Sequence, residues 1–163
     1  MFQAARISTD DPHTFYAELA QQLEGLLAGE RDAIANAANM AALIFTSLPN
    51  LNWAGFYFLR GDTLVLGPFQ GNPACVRIAM GKGVCGAAAE KRQTLRVDDV
   101  DAFPGHIACD SASRSELVVP LIQDGAVIGV LDIDSPIPSR FDAVDQAGLE
   151  RLAAILVAGS GQP

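Results

Sequence analysis

Basic residues are scarce in this chain. Eleven Lys and Arg stand against nineteen Asp and Glu, a formal charge of −8 over 163 residues, and the few cations are scattered. Neutralising a phosphate backbone requires a basic stripe, so no nucleic-acid partner is expected. Long apolar runs are also missing: nothing approaches the roughly 18 residues of a membrane helix, so no membrane partner is expected. The first residues, Met1 to Asp11, lack the basic start and apolar stretch of a secretory leader, which makes a cytoplasmic location the expectation. There are only two histidines and no C-x₂₋₄-C pair. That removes a thioredoxin-like dithiol and leaves a poor zinc ligand set, so neither a metal nor a cofactor is expected. Cysteines number three, and an odd count in a reducing compartment argues against a structural disulfide framework. With metal set aside, catalysis or packing remain for them.

What is present fits one globular domain spanning residues 1–163, long enough to build a conventional core. Asp11 to Glu30 reads as an amphipathic helix, with Asp11 as cap, Pro12 in the first turn, and Phe15, Leu19, Leu23 and Leu26 at helical spacing. A second, alanine-rich helix starts at Asp32 and stops at Pro49. Trp53 to Leu59 and Thr63 to Leu66 flank Arg60-Gly61-Asp62 as a β-hairpin. Glu116 to Ile122 and Ala126 to Asp134 flank Gln123-Asp124-Gly125 as another, with Pro120 placing its strand at an edge or a bulge. Between the hairpins the periodicity weakens: a strand near Ala74 to Ala79, a short helix over Val84 to Lys91, a strand at Thr94 to Val97, and loops. A last helix begins near Phe141 and Asp142. The fold class is α+β, a central antiparallel sheet with the N-terminal and C-terminal helices packed on one face. No output domain is expected after Pro163.

Chemistry has few possible carriers. His13 reads as a surface residue of the first helix. His106 lies three positions before Cys109, either as a base for that thiol or as an exposed loop residue. Cys85 falls at the start of a helix, where free N–H groups stabilise a thiolate or an anion, or where a small residue simply packs. Cys109 sits in a polar, turn-rich loop and is the better nucleophile candidate. Strand alternation puts Ile128, Val130, Asp132 and Asp134 on one face. In a hairpin centred on Gly125, Glu116 opposes the region of Asp132 and Asp134. Three carboxylates then share a rim, unless the two aspartates merely open the turn at Ser135-Pro136. A partly buried rim keeps a proton available through repulsion and desolvation. Trp53 and Tyr57 share one face of their strand, as core or as the wall of a ligand pocket.

Several segments together resemble the free methionine-(R)-sulfoxide reductases, which are stand-alone GAF domains. They are Trp53-Ala54-Gly55-Phe56-Tyr57, Gly67-Pro68-Phe69-Gln70-Gly71, Gly83-Val84-Cys85-Gly86, Phe103-Pro104-Gly105-His106-Ile107-Ala108-Cys109-Asp110, Ser113-Arg114-Ser115-Glu116 and Gly129-Val130-Leu131-Asp132-Ile133-Asp134-Ser135. The resemblance implies a GAF-like fold and reduction of free methionine-(R)-sulfoxide by thiol chemistry. It implies Cys109 as nucleophile, Cys75 at the usual resolving position and Cys85 as a third, assisting cysteine. It further implies Glu116, Asp132 and Asp134 as substrate-holding carboxylates, Trp53 and Tyr57 as the pocket wall, thioredoxin as reductant, and a homodimer. Backbone N–H groups near Gly81 to Val84 are expected to take the substrate carboxylate. The competing readings are a non-catalytic GAF-type sensor of small ligands and a peroxide-reducing thiol enzyme.

Overall fold

The computed structural model describes residues 5–105 and 111–163. Two helices open the chain, α1 (Pro12–Leu27) and α2 (Ala33–Ser47). Each starts where an aspartate satisfies an orphan amide: Asp11 accepts from Thr14 N at 3.0 Å and Asp32 from Ala35 N at 2.8 Å. Strands β1 (Trp53–Arg60), β2 (Thr63–Gly71) and β3 (Arg77–Ala79) follow, then helix α3 (Gly83–Lys91) and strand β4 (Leu95–Val97). A long hairpin, β5 (Ser115–Gln123) and β6 (Ala126–Ser135), precedes the final helix α4 (Ala143–Gly159). Asp142 and Asp145 cap α4 reciprocally, which fixes its first turn.

The six strands form one antiparallel sheet in the order β3-β2-β1-β6-β5-β4. Its two faces differ. Ala54, Phe56, Phe58, Leu117, Val119, Leu131 and Ile133 face α1, α2 and α4 and make the larger core. Trp53, Tyr57, Val118 and Val130 face the other way, toward α3. The α+β class, with both terminal helical segments on one face, is as expected; α3 alone covers part of the opposite face. Among the described residues no helix is long and apolar enough to cross a membrane.

Three local expectations need correction. Strand β2 runs on through Gly67 and Pro68 to Gly71 instead of ending at Leu66, because a register shift opposite Gly55 and Tyr57 absorbs the irregular residues. Pro120 is not on an edge strand. However, β4 pairs only with Glu116 to Val118, so the prolyl nitrogen lies beyond the end of that ladder and no bond is lost. Ile128 does not share a face with Val130, Asp132 and Asp134. The hairpin pairs Leu121 with Gly129 and then Ile122 with Val127, so Ile128 is the extra residue of a bulge and packs toward the helices.

Candidate active site

Strand pairing assembles the site on the α3 face. Asp134 of β6 lies opposite Trp53 on one side and Glu116 on the other. One step along the same face, Asp132 lies between Gly55 and Val118, and one further Val130 lies opposite Tyr57. The carboxylates therefore stand in register beside an aromatic wall. The expected juxtaposition of Glu116 with Asp132 and Asp134 is what the hairpin produces.

Trp53 and Tyr57 are almost completely buried and stack at 5.9 Å between ring centroids. Phe69 stacks on the far side of Trp53 at 5.2 Å, a member of the wall that alternation along β1 does not reveal. Its signal is Gly55. A Cβ there would stand 2.3 Å from the Phe69 Cβ and 2.7 Å from the Trp53 ring, so only glycine lets the three rings close up. The polar edges of the two large aromatics also act. Trp53 Nε1 donates to the Asn72 carbonyl at 3.1 Å, and the Tyr57 hydroxyl donates to the Cys75 carbonyl at 3.0 Å. These bonds pin the segment carrying Cys75 across the top of the wall. Cys75 is half-buried and disulfide-bonded.

From the opposite side α3 lowers Cys85 onto the acids. Gly86 allows the approach, since a Cβ there would meet the Ala79 carbonyl at 2.4 Å. The far end of α3 is held too: Arg92, in the left-handed conformation at its C-cap, bonds the Gly125 carbonyl in the β5–β6 turn. The Cys85 thiol is free and buried, and its Sγ lies 3.9 Å from Glu116 Oε1. Ligand atoms of Cys85, Glu116 and Asp132 all fall within 4.8 Å of one another.

This crowding sets the proton affinities. Burial, then the neighbouring aspartates, push the Glu116 carboxyl well above the usual carboxylate range. Burial lifts Asp132 to about 6, against hydrogen bonds from Cys85 and Glu116 that favour its charged form. Burial and the same acids raise the Cys85 thiol well above its ordinary value, and burial first, then Asp132, raises the Tyr57 phenol. Asp132 Oδ1 is buried and has no hydrogen-bond partner among the described residues. Asp134 is half-buried at the rim.

At the head of α3, the Gly81 and Lys82 amides are already bonded to the carbonyls of Gly86 and Ala79. The donors left in the expected Gly81 to Val84 stretch are Gly83 and Val84, whose N–H groups have no intrahelical acceptor in a first turn. His13 is exposed on α1. Cys109 and His106 lie outside the described residues. Among the described residues that follow, Asn52 Nδ2 donates to Ser113 Oγ at 3.0 Å and Arg114 N to Ser135 O at 2.8 Å, which ties Ser113 and Arg114 to the sheet beside the acids. No spacing signal marked Asn52.

The GAF domain family matches residues 11–158. The chain is 54% identical over 142 residues to the free methionine-R-sulfoxide reductase of Escherichia coli, covering 87% of this chain and 86% of that protein. It is 46% identical to the free methionine-R-sulfoxide reductase of Saccharomyces cerevisiae, covering 85% and 84%. The X-ray structure of the Neisseria meningitidis free methionine-R-sulfoxide reductase in complex with its substrate superposes with a TM-score of 0.93 at 48% identity, covering 98% of this chain and 95% of that one. The chain accordingly belongs to the GAF-domain family and, within it, to the oxidoreductases known as free methionine-(R)-sulfoxide reductases.

Proposed function

We propose that this chain, as one GAF domain over residues 1–163, reduces free methionine-(R)-sulfoxide to methionine on the α3 face of its sheet, with Cys109 as nucleophile. The observation that carries the reading is the buried Glu116–Asp132 pair beside the Trp53–Tyr57 wall. A sulfoxide oxygen leaves only when protonated, and burial beside a second carboxyl raises the proton affinity of this pair. Glu116, pushed well above the usual carboxylate range, suits the part of the donor, and Asp132, raised only to about 6, suits the charged part. The ionised Asp132 and rim Asp134 suit the substrate ammonium. The Gly83 and Val84 amides suit its carboxylate, and the rings suit its thioether chain.

The thiolate of Cys109 attacks the sulfoxide sulfur, the oxygen takes the carboxyl proton, and methionine departs as the oxygen passes to Cys109 as a sulfenic acid. A second thiol condenses with the sulfenic acid, releasing water and forming a disulfide. Cys75 is the better resolving residue: it is disulfide-bonded, whereas Cys85 is free and its thiol is held protonated by burial and adjacent acids. Thioredoxin, a dithiol reductant, closes the cycle by thiol exchange. A cytoplasmic homodimer completes the reading.

The test is NADPH oxidation coupled through thioredoxin and its reductase. Turnover is expected with the free R epimer and not with the S epimer or a peptide-bound sulfoxide, and Cys109→Ser should abolish it. Turnover with hydrogen peroxide alone would identify a thiol peroxidase, and ligand binding without turnover a sensor.

A further inference from the structure

We infer that Cys85, Glu116 and Asp132 form a three-donor site for a thiophilic divalent cation of the Zn²⁺ class, which occupies the position of the substrate ammonium and so inhibits the enzyme. The inhibition, though not the binding, rests on the function proposed above.

Geometry comes first. One thiol and two carboxylates present ligand atoms within 4.8 Å of one another, all three residues buried. Tetrahedral zinc with Zn–S near 2.3 Å and Zn–O near 2.0 Å separates sulfur from oxygen by about 3.5 Å. The Cys85 Sγ to Glu116 Oε1 distance is 3.9 Å, so that pair requires closure of only a few tenths of an ångström, and the other donor atoms lie within 4.8 Å. The donors come from three packed elements: Glu116 is fixed by β5–β6 and β4–β5 pairing, Asp132 by β1–β6 pairing, and Cys85 by the glycine contact that seats α3.

An independent observation points to an occupant. Asp132 is 7% exposed, and its Oδ1 has no partner among the described residues. A buried, unsatisfied carboxylate oxygen is costly, and a cation or ammonium satisfies it. The donor set selects the kind of cation. A thiolate with two carboxylates suits zinc or cadmium, whereas magnesium and calcium demand more oxygen ligands and no sulfur. Three protein donors leave a fourth coordination position for water. Binding expels the Cys85 proton, and any proton on the carboxyl pair, to solvent.

The binding test uses the full chain carrying Cys75→Ser and Cys109→Ser, kept reduced by a phosphine, so that Cys85 is its only thiol. Cadmium titration should give one equivalent of cadmium–thiolate charge-transfer absorption, which vanishes when Cys85→Ser is added. Asp132→Asn or Glu116→Gln should weaken cadmium binding by at least about tenfold, with folding of each variant checked by circular dichroism. Magnesium should not compete. Free methionine sulfoxide should displace cadmium from the parent double variant, a readout that needs no acidic-site substitution. Absence of the band, or equal affinity in both carboxylate variants, would overturn the site. Bound cadmium that methionine sulfoxide cannot displace would overturn the shared position. Failure of the coupled turnover assay with the cadmium band intact would refute the proposed reaction and leave the metal site standing.

Discussion

At the scale of single residues, Asp132 shows the tension between folding and chemistry. Its backbone is locked between β1 and β5, and its carboxyl is buried beside Glu116 and Cys85. Ionising it there is unfavourable, as its rise to about 6 records. Asp132→Asn keeps the shape and removes the charge. Thermal or denaturant unfolding of the substrate-free variant at pH 8 is expected to show a gain of about 1–3 kcal/mol, while kcat/KM falls by roughly a hundredfold or more. A variant that loses stability at pH 8 would show that the carboxylate is held by favourable contacts. Tyr57 carries a separable role: its hydroxyl holds the Cys75 carbonyl, so Tyr57→Phe keeps the wall and loosens the segment, which Trp53 still holds at Asn72. Pre-steady-state measurements should find sulfoxide reduction little changed and disulfide formation slowed severalfold.

Among the elements, legibility in the sequence followed how local the cause was. Capping aspartates and helical spacing placed α1, α2 and α4 within a few residues, and both hairpins announced themselves through β-rich runs about a glycine turn. The acidic rim was legible because hairpin register is set by turn position, and Glu116 does face Asp134. Features that depend on a distant partner were not legible. Alternation put Ile128 on the site face, and a bulge against β5 turned it away. Pro120 suggested an edge or a bulge; it lies in register one residue before the bulge at Leu121 and Ile122, and the shortness of β4 leaves its nitrogen without a lost partner. Phe69 joins the wall through a strand pairing and an absent Cβ at Gly55. Gly148 is similar: mid-helix it resembles a flaw, yet a Cβ there would lie 2.2 Å from the Tyr16 ring. Gly148→Ala is expected to force α1 and α4 apart and to lower stability by about 1–3 kcal/mol in denaturant melts. Because the sheet separates that contact from the acids, kcat at low temperature should stay near the parent value.

At the scale of the whole molecule, the buried acids make stability depend on pH. Glu116 and Asp132 bind protons more tightly folded than unfolded, so the stability this confers is full below about pH 4. For Asp132 it is lost as pH rises through about 6, and for Glu116 as pH rises through its own raised value. The denaturation midpoint of the substrate-free protein should therefore fall between pH 5 and pH 8. The net charge of −8 pushes the same way. Salt separates the two: it screens repulsion among exposed carboxylates and leaves the buried pair's contribution, which only Glu116→Gln with Asp132→Asn removes. The helical layer has a consequence of another kind. α1 packs chiefly on α4, and the Tyr16 hydroxyl bonds Asp145, 129 positions along the chain. On a ribosome the first helix thus emerges long before its partner exists, and at about 5–20 residues per second its apolar stripe waits many seconds uncovered. The domain completes its core only when the last helix clears the exit tunnel, and that interval is where a nascent chain of this protein most needs a chaperone.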